Sequence, residues 1–314
     1  TMNARNTSAG QALPLSGFRP DWYSYPLVGS TSAVNLRENP HALPIAFGAN
    51  AAILHLQRTT MDPLNYQSQI FQTLASRPTL HSLFAVQNFN SVKFNNVQSA
   101  KQITGTIFRK QNLLKPASVQ LEFIPPTNDS YYLTLGPNVE DNATITMNNK
   151  KFTQYDTFRN TVVINVAHDQ KGQKVLVNLQ LKKATLWMQN VSIYQLKQRP
   201  FMASLKTLQE SPLKISSYRS NRIVGTVNLQ RNQRVLMTTI PAAKGWHVKV
   251  DGKSTTPQTV LNTFMAIPMS PGKHRVEFYY RPPFLILGLI ITVISLGLTG
   301  WWVKKEHQIR TMFD

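Results

Sequence analysis

From about Gly105 onward, apolar side chains recur at every second position. Val119, Leu121 and Phe123 alternate in SVQLEF, Tyr131, Leu133 and Leu135 in YYLTL, and Ala143, Ile145 and Met147 in ATITM, ahead of the turn-forming Asn148-Asn149. The runs TVVINV (161–166), KVLVNLQL (174–181) and ATLWMQNVSIYQL (184–196) continue the pattern. Short strands separated by polar turns, with no helical interruption, predict an antiparallel jelly-roll-like β-sandwich over residues 96–200. A second, smaller Ig-like sandwich is predicted over 201–283. It follows Pro200 and a helical or linker stretch, MASLKTLQES, and is built from IVGTVNL, RVLMTTI, GWHVKV, TFMAI and HRVEFYY. In GWHVKVDGK, Trp246, Val248 and Val250 point to one face and His247 and Lys249 to the other. Asp251-Gly252 then supplies the positive-φ pair of a two-residue hairpin turn. MSPGK (269–273) marks another turn.

Residues 1–95 read differently. Asp62-Pro63 is a helix start, an N-cap acceptor followed by proline at the first helical position, and the helix runs through LNYQSQIFQTLASRP toward Pro78. The rest of this stretch has no sustained period and is predicted to be an irregular connector with a few strands. ALPIAFGANAAILHL (42–56) is apolar but broken by Pro44, Gly48, Asn50 and His55, so it is loop or core and not a membrane span. The opening TMNARNTSAG lacks the basic and apolar regions of a signal peptide.

One segment is apolar on every face. FLILGLIITVISLGLTGWWV (284–303) is twenty residues without a charge, and at 1.5 Å per helical residue it covers about 30 Å, the thickness of bilayer hydrocarbon. Arg281-Pro282-Pro283 ends the preceding structure, Trp301 and Trp302 suit the interfacial belt, and Lys304-Lys305 mark an exit from lipid. The lipid bilayer is therefore a predicted partner. Sidedness does not follow from charge, because Lys273, Arg275 and Arg281 before the span balance Lys304, Lys305 and Arg310 after it.

Charge changes the picture near that span. The chain of 314 residues carries 34 Lys+Arg against 14 Asp+Glu, and the excess is densest in 201–283, with 12 basic and 3 acidic residues. Basic residues beside a bilayer attract anionic lipid or polymer. Cysteine is absent, which excludes disulfides, Cys-based zinc sites and thiol catalysis. The seven histidines (41, 55, 81, 168, 247, 274 and 307) include no pair three or four apart, and no phosphate loop or nucleophile elbow is present. No cofactor, metal ion or catalytic residue is expected. Glu140-Asp141 reads as a solvated turn and not as an acid–base pair. Trp187, Tyr131 and Tyr132 are candidates to stack on sugar rings, with core packing the alternative for each. Lys273, Arg275, Tyr279, Tyr280 and Arg281, with Trp301 and Trp302, are candidates to hold the membrane surface or a polyanion. A cytosolic nucleic-acid binder is disfavoured, since no recognised motif accompanies the charge.

The run IPAAKGWHVKVDGKSTTPQ followed by FMAIPMSPGKHRVEFYYRPPFLILGLIITVISL resembles the carboxyl end of the YfhO family of bacterial multi-pass membrane proteins, and ENPHALPIAFGAN resembles that family's ENPNALP-like stretch. The likeness extends in order from Glu38 to about Leu298. It implies a GT-C-type glycosyltransferase that uses lipid-linked sugars to decorate envelope polymers such as lipoteichoic acid. The acidic catalytic residues of that type lie in an early loop to which no position here corresponds. This chain is then expected to be the extracytoplasmic carboxyl-terminal part, residues 1–283 outside, 284–303 spanning and 304–314 a cytoplasmic tail. Its expected partners are an upstream multi-pass domain of the same protein and an anionic envelope polymer or lipid headgroups. The alternative expectation is a membrane-anchored carbohydrate-binding or adhesive module without enzyme activity.

Overall fold

A computed structural model describes residues 2–4, 20–32, 34–76, 82–136, 139–151, 161–189 and 191–310. The chain forms two compact units, one from 1–42 with 57–207 and the other from 43–56 with 208–314.

The first unit is a sandwich of two antiparallel sheets. One has the strand order Val162–Ala167, Tyr131–Leu135, Ser192–Leu196, Phe84–Gln87; the other runs Lys150–Lys151, Ala143–Met147, Val175–Leu181, Ser118–Phe123, Ser91–Asn95. From Ser118 on, the chain crosses repeatedly between these sheets, which is jelly-roll connectivity. The predicted alternation is what fills the core. Val119, Leu121 and Phe123 meet Leu133, Leu135, Ile145, Ile164 and Leu179 in one apolar cluster, while the intervening side chains face outward. A further sheet, Thr185–Met188, Gly105–Lys110, Val97–Gln102, closes one flank, and a small sheet of Met2–Ala4, Val34–Arg37 and Leu27–Ser30 lies near the amino terminus.

Two expectations change here. The uninterrupted strand series contains a one-turn helix, Val139–Asn142, and ATLWMQNVSIYQL is not one strand but two, Thr185–Met188 and Ser192–Leu196, in different sheets. The helix at Asp62-Pro63 spans Pro63–Leu74, with the Asp62 carboxylate accepting from Asn65 N at 2.8 Å. Pro78, its predicted limit, lies outside the described residues.

The second unit is also a sandwich. Its five-stranded sheet runs Lys214–Arg219, Arg222–Leu229, Gly272–Tyr280, Trp246–Val250, Lys253–Thr255, and its four-stranded sheet runs Gln258–Val260, Phe264–Pro268, Val235–Pro241, Ala46–Ala49. Val227, Val248, Val276 and Phe278 of the first pack against Leu236, Ile240, Met265 and Ile267 of the second. MASLKTLQES, all but its last two residues, belongs to the helix Gln198–Gln209, along which the chain passes from one unit to the other. The apolar stretch 42–56 is core, and it also supplies a fully buried edge strand, Ala46–Ala49, followed by the 3-10 helix Ala51–His55.

The last element is the helix Leu285–Arg310. Its segment Leu285–Lys304 is long and apolar enough to cross a membrane, and none of it is buried in protein. Its few hydroxyls need no water: Thr292, Ser295 and Thr299 donate to the carbonyls of Gly288, Ile291 and Ser295 at 2.8–2.9 Å. These hydroxyls are thus satisfied within the helix, as lipid requires.

Candidate membrane-proximal anion site

The strand Gly272–Tyr280 leads toward the apolar helix and lies between two partners in the five-stranded sheet. Val276 and Phe278 point into the core with no exposure, so Lys273, Arg275, Glu277 and Tyr279 project from the outer face. Residues directly opposite in an antiparallel pair share a face. The register sets Arg222 opposite Tyr279, Lys249 opposite Glu277 and His247 opposite Tyr279, while Arg219 faces Arg222 and Lys214 faces Thr226. The outer face therefore gathers six basic residues, Lys214, Arg219, Arg222, Lys249, Lys273 and Arg275, around one acid, Glu277.

At the helix end of this face is a pocket of about 260 Å³ lined by Arg222, Lys249, Glu277, Tyr279, Tyr280 and Arg281. Tyr279 is its centre. His247 stacks on the ring at 5.1 Å with 18° between planes, and the charged groups of Lys249 and Arg281 lie 5.7 and 5.4 Å from the ring centroid. Arg222 Nε donates to Glu277 Oε1 at 2.9 Å. That hydrogen bond, with the charges of Arg222, Lys249 and Arg275, holds the Glu277 carboxyl below its usual range.

Chain geometry fixes the wall of the pocket. Arg281 N donates to Gly245 O at 2.8 Å, and Trp246 meets Tyr280 edge-on at 5.2 Å. A Cβ on Gly245 would come within 2.7 Å of both the Tyr280 ring and the Arg281 carbonyl, so the glycine of the GW pair is what permits this approach. At the other end of the hairpin, Asp251 accepts from Arg275 N at 2.8 Å and pairs with His274 Nδ1 at 2.7 Å. The His274 bond first, and the Arg275 amide second, hold the Asp251 carboxyl low.

The remaining sequence candidates separate. Lys273 and Arg275 are exposed on the same outer face, and Lys273 lies with Lys214 around a second pocket of about 440 Å³. Trp301 and Trp302 are exposed on the apolar helix, near its exit. Trp187 is 36% exposed on an edge strand. Tyr131 is fully buried, its ring 5.0 Å from Phe123 and its hydroxyl 2.6 Å from Thr127 Oγ1. It therefore presents no face to a sugar, which corrects the stacking role. Tyr132 is half-buried, edge-on to Phe84 at 6.0 Å. The Glu140-Asp141 pair falls on the one-turn helix Val139–Asn142. His81 lies outside the described residues. Among the described residues, no three His, Asp or Glu side chains converge where they could hold a metal ion.

Arg222, Lys249 and Glu277 escape the sequence reading. Their signal is the register: once HRVEFYY and GWHVKV are paired, Lys249 falls beside Glu277, but the pairing of IVGTVNL with HRVEFYY is long-range and carries no local mark.

The family described as bacterial membrane protein YfhO matches residues 1–292. The protein YfhO of Bacillus subtilis (strain 168) is 23% identical over 168 residues, covering 54% of this chain and 19% of that protein, so the chain spans about a fifth of its relative's length. Among solved structures, Ruminococcus gnavus beta-glucuronidase aligns over 51% of this chain and 30% of its own, with 11% identity and a TM-score of 0.23. A Paenibacillus cycloisomaltooligosaccharide glucanotransferase aligns over 70% of this chain and 51% of its own, with 8% identity and a TM-score of 0.22.

Proposed function

This chain belongs to the YfhO family of bacterial membrane proteins, and from that premise we propose that it is the extracytoplasmic carboxyl-terminal part of a membrane glycosyltransferase that decorates envelope polymers of the lipoteichoic acid type. In this reading the two sandwiches do no chemistry. They present a basic surface to the anionic acceptor and brace the catalytic core of the same protein. The observation that carries the reading is the sheet face bearing six cations and one carboxylate, built around a strand separated by four residues from the start of the apolar helix. A surface of one sign beside a bilayer concentrates polyanions, and phosphate polymers fit it.

The test uses the full-length protein. Charge reversal at Lys273 and Arg275, both exposed and outside the core, is expected to lower polymer glycosylation severalfold while donor-lipid binding is retained, with the loss deepening at higher ionic strength. Unchanged glycosylation removes the acceptor role. Sidedness is read from single introduced cysteines, since these 314 residues contain none and any cysteine in the upstream part is first replaced by serine. Ser254→Cys in intact cells is expected to react with an impermeant maleimide and Thr311→Cys only after lysis; the reverse pattern places residues 1–283 inside.

A second reading, a membrane-anchored carbohydrate-binding or adhesive module, is favoured by the part-exposed Trp187 on an edge strand. Trp187→Ala then abolishes binding to envelope glycan with no change in glycosylation.

A further inference from the structure

The pocket at the foot of the five-stranded sheet has a narrower chemistry than the face around it. We infer that it seats the phosphodiester headgroup of one anionic phospholipid. This rests on the reading above that the second unit stands at a membrane surface, and adds to it a defined lipid site.

Charge is the first argument. Arg222, Lys249 and Arg281 face one carboxylate, Glu277, leaving the pocket strongly positive. The cations are also placed. Glu277 holds the Arg222 guanidinium at 2.9 Å, and Tyr279 carries Lys249 and Arg281 within 6 Å of its ring centroid. A guanidinium fixed by a carboxylate on one edge keeps its other N–H groups for a second oxyanion, and a phosphodiester offers two such oxygens. The Tyr279 and Tyr280 side chains, apolar bodies with polar tips, suit the level where headgroup meets acyl chain.

Position is the second argument. Arg281 is anchored through its amide to Gly245 O, and the helix begins at Leu285 after Pro282, Pro283 and Phe284. Three residues of chain reach at most about 11 Å, so Phe284 and the apolar surface that follows lie close below the pocket. The headgroup layer occupies about 5–7 Å on each side of the hydrocarbon. The cations are therefore held at phosphate depth when the helix enters lipid.

Size is the third argument. A volume of about 260 Å³ is below the range for drug-sized ligands. It accommodates a phosphate with a small alcohol, not several units of a polymer, for which the wider basic face through Lys273 and Arg275 is the matching surface.

The experiment uses the whole chain purified in a neutral detergent. Native mass spectrometry counts retained lipid after addition of phosphatidylglycerol or phosphatidylcholine. Preferential retention of a single phosphatidylglycerol is expected. Lys249→Gln with Arg281→Gln is expected to weaken it about tenfold or more, as loss of two charge-assisted contacts should. Lys273→Gln with Arg275→Gln, on the same face outside the pocket, is expected to leave it unchanged. A thermal melt and the single Lys249→Gln variant, expected to give an intermediate loss, separate lost binding from lost folding. Equal retention of phosphatidylcholine overturns the inference. So does equal weakening by the Lys273/Arg275 variant, which leaves a diffuse basic face and the proposed polymer contact intact. Full competition by soluble glycerol phosphate at the affinity of the lipid shows a phosphate site that is not a lipid site and overturns the lipid assignment alone.

Discussion

Asp251 and Gly252 close the hairpin with φ values of 51° and 80°, the two left-handed positions that a short antiparallel turn needs. No atom lies near the place a Gly252 Cβ would occupy, so Gly252→Ala meets no clash and tests backbone strain alone. It is expected to lower stability by about 1–2 kcal/mol, measured by denaturant unfolding, with Gly252→Asn recovering part of the loss. Asp251 adds a pH signature. Its folded pKa is depressed from 3.8, so its contribution is complete above that value and is lost as pH falls through the lower folded one. Asp251→Asn, which keeps the turn preference, is expected to flatten the acid limb of a melting-temperature profile; an unchanged limb shows that Asp251 contributes nothing to the acid sensitivity. This hairpin is the part of the site most legible in sequence, because its alternation and its Asp-Gly turn are local. Lys273, Arg275, Tyr279 and Arg281 were legible as a basic, aromatic approach to the span. The pocket around Tyr279 was not, since Arg222 comes from a strand more than fifty residues earlier and reaches Tyr279 only through sheet register.

At the level of elements, the helix Pro63–Leu74 shows how a local signal and a distant contact combine. Asp62 caps it through Asn65 N and also accepts from the Tyr194 hydroxyl at 2.5 Å. Burial first, and the Asp62 bond second, push Tyr194 up to about 12. Asp62→Ala removes the cap and strands a buried hydroxyl, and is expected to cost about 2–3 kcal/mol. Tyr194→Phe leaves the cap in place and should cost about 1 kcal/mol. The raised pKa fixes the sign of an alkaline effect: the Tyr194 contribution is full below pH 10 and is lost as pH rises toward about 12. Tyr194→Phe is expected to be less sensitive than the parent to that rise, as followed by circular dichroism. Local signals reveal this helix, through its Asp-Pro start, the apolar helix after Phe284, through its unbroken length, and most central strands, through their alternation. Alternation misses Lys214–Arg219, exposed at every position, and Ser91–Asn95, nearly so, because an edge strand exposed on both faces lacks the alternation that marks a half-buried strand. It also misses Val139–Asn142, which at four residues is too short to show a period.

For the whole molecule, the informative element is Ala46–Ala49. It is buried along its full length, pairs with Val235–Pro241, and its Gly48 amide donates to Ser211 O at 2.9 Å. The Ala46 carbonyl accepts from Leu213 N at 2.8 Å, so both edges of the short strand are satisfied within the second unit. Nothing in a linear reading joins residue 46 to residue 236, and AFGA is too short for a period; only the tertiary pairing defines it. The larger part of the first unit, 57–207, therefore lies in sequence between the two pieces of the second, 43–56 and 208–314. A fragment 208–283 alone exposes the edge of Val235–Pro241 and part of an apolar core that includes Leu236 and Met265. It is expected to aggregate on expression, because an uncovered flat edge beside apolar surface is a template for pairing. Joining residues 43–56 to its amino terminus through a flexible linker is expected to give a soluble, cooperatively melting sandwich. Adding 43–56 as a separate peptide during refolding should raise the yield of folded fragment in proportion to peptide concentration. A soluble, cooperatively folded 208–283 without that strand would show that the edge is dispensable, and that the contribution of 43–56 lies elsewhere than in the core of the second unit.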